Sequence, residues 1–202
     1  MRSRGTAAKV HLALSGPLQL AGSDGRLDEA IRIGGGHVDD LERAFDAIKY
    51  RRFSERPHLE IRVPTVADPS LAPPGHHVVS ILASYAPYDL EGGWNDAKRE
   101  AFGETVISTI ERYAPNFRSC IVDKQIITPK DIERIAGITG GNIFHGELLL
   151  HQIFFLRPTP QWADFRTPLK GYYFGAAGAH PGGGVMGAAG MLAAKEILKD
   201  GN

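Results

Sequence analysis

The stretch Gly171-Tyr-Tyr-Phe-Gly-Ala-Ala-Gly-Ala-His180-Pro-Gly-Gly-Gly-Val185-Met-Gly-Ala-Ala-Gly190 organises the reading of this 202-residue chain. Tyr172 to Phe174 reads as a short apolar strand. A turn rich in glycine and proline follows, and Val185 to Lys199 reads as an apolar helix. A strand, a glycine turn and a helix N-terminus leave main-chain N–H groups pointing outward. Those amides and the positive end of the helix dipole favour an anion or an electron-rich acceptor. The bland reading of the same glycines is a tight turn with close strand–helix packing. Gly187 and Gly190, three apart on one helix face, serve it equally well.

The ordered set Tyr172-Tyr173-Phe174-Gly175, Gly178-Ala179-His180-Pro181-Gly182-Gly183-Gly184-Val185, then Gly187 and Gly190, resembles the C-terminal flavin-contacting motif of the phytoene desaturase-like FAD-dependent oxidoreductases. Upstream, Thr139-Gly-Gly-Asn142-Ile-Phe-His145-Gly and Arg157-Pro158 point within that family to the pyridine nucleotide-disulphide oxidoreductase domain-containing branch. The resemblance is strong after about Gly137 and weak before about Pro57. It implies FAD as cofactor, with Gly175, His180, Pro181, Gly182, Gly183, Gly184, Val185, Met186 and Gly187 beside it. Amides around Gly184 to Met186 would meet the pyrimidine edge or the ribityl chain. Members of the family open with a βαβ unit carrying G-x-G-x-x-G, which holds the ADP half of FAD. No such unit is read at the front of this chain: Gly34-Gly35-Gly36 lacks the spacing and leads into a helix start.

Side chains are weighed on the same basis. His145 lies in the region that resembles the family's active-site wall, where a histidine could exchange a proton beside a hydride acceptor. Its competing reading is a hydrogen-bonded histidine in a packed loop. His151 and Gln152 are lesser candidates for the same cavity. His180, before Pro181, either borders the flavin or only shapes the loop. Glu55, Arg56 and Arg157 read as solvated salt-bridging residues. No metal site is expected: His76 and His77 are adjacent and point to opposite faces of a strand, and His145 and His151 lack a matched carboxylate or cysteine set.

Composition sets the outer bounds. Lys plus Arg and Asp plus Glu balance at 23 each, so charge makes no case for nucleic acid or an anionic membrane surface. No apolar run approaches the ~20 residues of a membrane span. The single cysteine, Cys120, excludes an internal disulphide, and a reducing compartment is expected. Met1 to Ser23 holds Arg2, Arg4 and Lys9 and no acid, a composition open to a transit-peptide reading. The alternation Lys9-Val-His-Leu-Ala-Leu14 reads instead as a strand. A cytoplasmic location is expected, with the mitochondrial matrix as alternative.

Along the chain, strands are expected at Lys9–Leu14, His58–Val63, His76–Tyr85 and Arg118–Thr128, and Leu27–Ile33 reads as either a short strand or an irregular segment. The continuous apolar centre of His76–Tyr85 suggests burial on both faces. Helices are expected at Val38–Arg51, with Val38, Leu41, Phe45 and Ile48 on one face, and at Asn95–Tyr113, with Phe102, Val106, Ile110 and Tyr113 buried. Thr128-Pro129 starts a third helix, with a hydroxyl cap and proline at the first position. The class is α+β, a mixed sheet with packed helices plus the C-terminal strand-turn-helix. A partial substrate-binding domain is placed at 1–165 and the flavin-contacting piece at 166–202. Two functions stand: the C-terminal part of a FAD-dependent oxidoreductase acting on an unidentified small molecule, or a non-catalytic module that needs a partner chain. The expected partners are a separate Rossmann half or a second copy. The isolated chain is expected to hold FAD weakly or not at all.

Overall fold

A computed structural model describes residues 1–25, 27–184 and 186–201. The chain forms two compact units, one of residues 6–131 and one of residues 1–5 with 132–202.

The first unit is built on a five-stranded sheet: β1 (Ala7–Leu14), β2 (Ala30–Ile33), β3 (His58–Arg62), β4 (His77–Ser84) and β5 (Ile121–Ile127), in the order β2-β3-β4-β1-β5. The class is α+β as expected. Every described ladder is antiparallel rather than mixed. Register puts Ile31, Ile61, Ile81, Val10 and Ile126 in one row across the sheet, and all five are buried. Alternation along each strand thus sends one face to the core. β4 obeys this too. Val79, Ile81 and Ala83 are buried, while Val78, Ser80 and Leu82 on its other face are half-buried. Burial on both faces is therefore corrected to burial on one, because an antiparallel sheet needs cover on a single side.

Helix α2 (Asp96–Glu111) supplies that cover. Asn95 caps it, its Oδ1 accepting the Lys98 amide at 2.9 Å. Phe102, Val106 and Ile110 are fully buried, as their spacing predicts. Tyr113 lies past the helix end and is half exposed. Phe53, Trp94 and Phe102 form an aromatic cluster, with centroids 5.3 to 6.1 Å apart.

Helix α1 (Val38–Lys49) is looser. Val38 and Phe45 are exposed and Ala44 is its buried residue, so the predicted apolar face is only partly covered. The expected start of β5 is taken by one helical turn, α3 (Phe117–Cys120), which ends on the half-buried Cys120. Helix α4 (Pro129–Ala136) begins as predicted. Thr128 Oγ1 accepts the Asp131 amide at 3.2 Å, and Asp131 Oδ2 accepts the Thr128 amide at 3.0 Å. Of the two readings of Met1–Ser23, residues 7–14 are strand β1, inside the sheet between β4 and β5.

The second unit has little regular structure besides α5 (Ala188–Asp200). Its small core holds Phe165, Ala179, Ala189 and Ala193. Residues 1–5 are threaded into it. The Gly5 amide donates to the Gly140 carbonyl at 2.7 Å, and a Cβ on Gly140 would stand 2.0 Å from the Ser3 carbonyl oxygen. Gly140 also sits at φ 65°, so both space and backbone demand glycine there. No described helix is long and apolar enough to cross a membrane.

Candidate functional site

The glycine turn is held from three sides. Its helix, α5, is fixed at the far end by Arg166. That guanidinium lies 2.8 Å from Glu196 and 2.8 Å from Asp164, and meets Asp200 through Nε at 3.0 Å and Nη2 at 2.8 Å. The Tyr173 hydroxyl donates to Asp200 Oδ2 at 2.7 Å. The predicted strand Tyr172–Phe174 is corrected to a single bridge, Arg166 to Tyr173, followed by a bond from the Phe174 amide to the Phe165 carbonyl at 2.8 Å. Extended residues become a strand only beside a partner strand, and this segment has one bridge in place of a ladder.

Near its middle, α5 packs directly on the chain before the turn. A Cβ on Gly175 would stand 2.9 Å from Ala193 Cβ and 3.3 Å from Gly190 Cα, so only glycine allows this approach. The helix begins at Ala188, later than its predicted start, after Gly187 at φ 64°.

The Arg166 network yields a pH prediction. Hydrogen bonds from Arg166 and then Tyr173 hold the Asp200 carboxyl down at about 2. A folded value below the unfolded one near 3.8 means that this contribution is complete above pH ~4 and fades as pH falls toward 2. An NMR titration should find Asp200 titrating near 2 in the native chain and closer to 4 in Arg166→Gln. An unchanged midpoint in the variant would show that Arg166 does not hold it.

The second hold is Arg157, which is 0% exposed. Its Nη2 donates to the Phe144 carbonyl at 2.7 Å and to Ala177 at 2.9 Å. Its Nε reaches the Ala179 carbonyl at 3.3 Å and its Nη1 the Gln152 carbonyl at 3.5 Å. The reading of Arg157 as a solvated salt-bridging residue is thus overturned. It ties the 144–152 loop to the 177–179 loop through main-chain oxygens. Burial lowers its pKa, but an arginine keeps its charge regardless.

The third hold is the seat of the first residues. Gln152, predicted as a cavity-lining candidate, is a buried clip. Its Oε1 accepts the Arg2 amide at 2.5 Å, and its Nε2 donates to the Arg2 carbonyl at 2.9 Å and to Glu147 at 3.0 Å. Glu147 in turn lies 3.3 Å from Arg4 Nε.

The corner itself is open in hydrogen-bond terms. Among the described residues, the amides of Gly182, Gly183, Gly184, Met186 and Gly187 donate to no protein acceptor. Gly182 and Gly184 take φ of 114° and 137°. Val185, also expected at the cofactor, lies outside the described residues. His180 is half-buried. Its Nδ1 is buried without a partner, and its ring lies 5.6 Å from that of Phe154. Pro181 is half-buried beside it, and Met186 is exposed. His145 sits at φ 56° with its amide bonded to the Asn142 carbonyl at 2.8 Å and its side chain exposed. His151 is exposed as well. Among the described residues no three His, Cys, Asp or Glu side chains are grouped for a metal.

Two features escaped the sequence reading. Gly182-x-Gly184-x-x-Gly187 does match the spacing G-x-G-x-x-G. It precedes a helix, but the bridge before it is no strand, so the strand that opens a βαβ unit is missing. The unpartnered Nδ1 of His180 depends on contacts that no local pattern reveals. Two cavities open in the sheet unit, and the glycine corner lines neither.

No family model matches the chain. It is 48% identical over 162 residues to pyridine nucleotide-disulfide oxidoreductase domain-containing protein 2 of Rattus norvegicus, across 79% of this chain and 28% of that protein. It is 30% identical over 186 residues to one of the subunits of limonene dehydrogenase from Castellaniella defragrans, across 86% and 33%. To the lycopene-forming phytoene desaturase of Pseudescherichia vulneris it is 34% identical over 134 residues, across 64% and 26%. The chain therefore belongs to the phytoene desaturase-like oxidoreductases. Within them it is similar to pyridine nucleotide-disulfide oxidoreductase domain-containing protein 2, and it spans about a third or less of the length of these relatives.

Proposed function

We propose that this chain is the C-terminal, substrate-side and flavin-contacting part of a FAD-dependent dehydrogenase that takes hydride from a C–H group of an organic substrate. The observation that carries this reading is the set of unengaged main-chain donors at Gly182–Gly184, Met186 and Gly187, with the unpartnered His180 Nδ1 close by in sequence. These groups fit the pyrimidine half of a flavin: donors are ready, and at Gly187 nothing lies within 4 Å of where a Cβ would stand, while Gly182 and Gly183 are packed against Leu148 and Phe144. When bound, the flavin supplies the two-electron chemistry. The corner's amides would donate to its electron-rich edge, where reduction leaves negative charge. Arg157 keeps that corner in one conformation without committing a side chain to the ligand. His145, on an exposed loop, is the candidate for proton exchange with substrate. The ADP half would be held by a Rossmann-type part outside these 202 residues, in the same polypeptide or in another.

Amide chemical shifts test this directly. On adding FMN to the labelled chain, the signals of Gly182, Gly183, Gly184 and Gly187 should move first, with weak, saturable binding. Gly183→Val should abolish those shifts and leave the signals of the sheet unit unchanged. Shifts scattered over the molecule, or none between 175 and 190, would overturn the reading.

The alternative, a non-catalytic module that needs a partner chain, is favoured by one observation. Phe144, Leu148, Leu150, Phe154 and Phe155 fall within twelve residues and are all exposed, Leu150 at 85% and Phe155 at 74%. Apolar side chains concentrated in this way mark a surface meant to be covered.

A further inference from the structure

A cavity of about 520 Å³ opens in the sheet unit between α1, the segment from Tyr50 to His58 and the end of α2. That volume is in the range of small-molecule sites, roughly 300–1,000 Å³. Its apolar wall includes Ile33, Leu41, Ala44 and Phe53. Three exposed arginines line it from three separate segments: Arg43 on α1, Arg56 in the loop before β3, and Arg112 just past α2.

The charges of this wall are unevenly engaged. Asp46 is tied to Lys49 at 2.5 Å, Asp40 accepts the His37 amide at 3.4 Å, and Arg52 faces Glu91 at 3.9 Å. Among the described residues, Arg43, Arg56 and Arg112 have no side-chain partner, and neither does Glu55. An amide N–H leaves the charge of Asp40 in place, so the wall sets Arg43, Arg56 and Arg112 against Asp40 and Glu55. By contrast, Arg118 is met by two carboxylates, Glu104 and Glu111. The excess of arginine over carboxylate in this lining favours an anion in the hollow. Guanidinium forks match phosphate and carboxylate oxygens in pairs. Tyr50 and Tyr113, 72% and 50% exposed, add flat faces to the same wall.

We propose that this cavity binds a small organic anion, with its phosphate or carboxylate held by Arg43, Arg56 and Arg112 and its apolar body against Phe53 and Leu41. The site lies wholly within the sheet unit and is independent of the flavin reading.

Calorimetric titration of the 202-residue chain with 1-naphthyl phosphate, 1-naphthoate and neutral 1-naphthol tests it, with amide shifts to map the contact. The phosphate, the carboxylate or both should bind saturably and move signals of α1 and of residues 109–113. The tighter of the two identifies the head group. Naphthol should bind far more weakly. Arg43→Gln with Arg112→Gln should weaken anion binding about tenfold or more without lowering the thermal midpoint. Arg32→Gln, which removes an arginine outside the cavity wall, should leave binding intact. Equal binding of naphthol, binding by neither anion, or equal loss in Arg32→Gln would overturn the proposal.

Discussion

Replacing Arg157 by Met should cost the chain about 3 kcal/mol in urea denaturation, since it leaves buried and part-buried carbonyls without a donor. Methionine can fill much of the volume, but it offers no N–H to the oxygens of Phe144, Gln152, Ala177 and Ala179. Arg157→Lys should lie between the two, because one ammonium cannot span oxygens arranged for a fork. Hydrogen exchange gives the second readout. Amides on both sides of the clamp, near 144–152 and 177–182, should lose protection together in Arg157→Met. A methionine variant within about 0.5 kcal/mol of the native chain would mean that water or a rearranged loop satisfies those carbonyls, and Arg157 would no longer explain the fixed corner.

The largest loss in the sheet unit is expected at Phe102. Phe102→Ala should cost about 4 kcal/mol, from the lost transfer of a fully buried ring and the cavity left behind. Phe102 is 0% exposed and meets both Phe53 and Trp94 edge-on. Trp94 also stacks on Phe53 and donates its Nε1–H to the Pro87 carbonyl at 2.8 Å, so little around the site can collapse into the gap. Trp94 fluorescence reports the unfolding of this unit, and Phe102→Leu should lose less than about 2 kcal/mol on the same probe. A loss below about 1 kcal/mol for Phe102→Ala would show the cluster to be far more plastic than its packing.

What the sequence could and could not reveal follows from the range of the forces involved. The α2 stripe was legible because Phe102, Val106 and Ile110 repeat at the helical period, which is a local property. The Thr128 cap was legible for the same reason. The apolar centre of β4 was misread, because the number of faces a sheet covers is decided by its neighbours. Tyr172–Phe174 has the composition of a strand, yet strand formation needs a partner that composition cannot name. Arg157 was the hardest to see. Its burial rests on carbonyls contributed by residues 5 to 22 positions away, each an ordinary residue in its own neighbourhood. The glycine turn and the helix after it were recognised as a corner of free amides, but the unpartnered ring nitrogen of His180 emerged only from packing.

Residues 1–5 carry a consequence for how the molecule is made. Arg2, Arg4 and Gly5 find their hydrogen-bond partners among residues 140–152. Strand β1, directly after them, is complete once β5 has been synthesised at residue 127. Residues 1–5 are therefore locked in place only after residues 140–152 have been made, later than the strand that directly follows them.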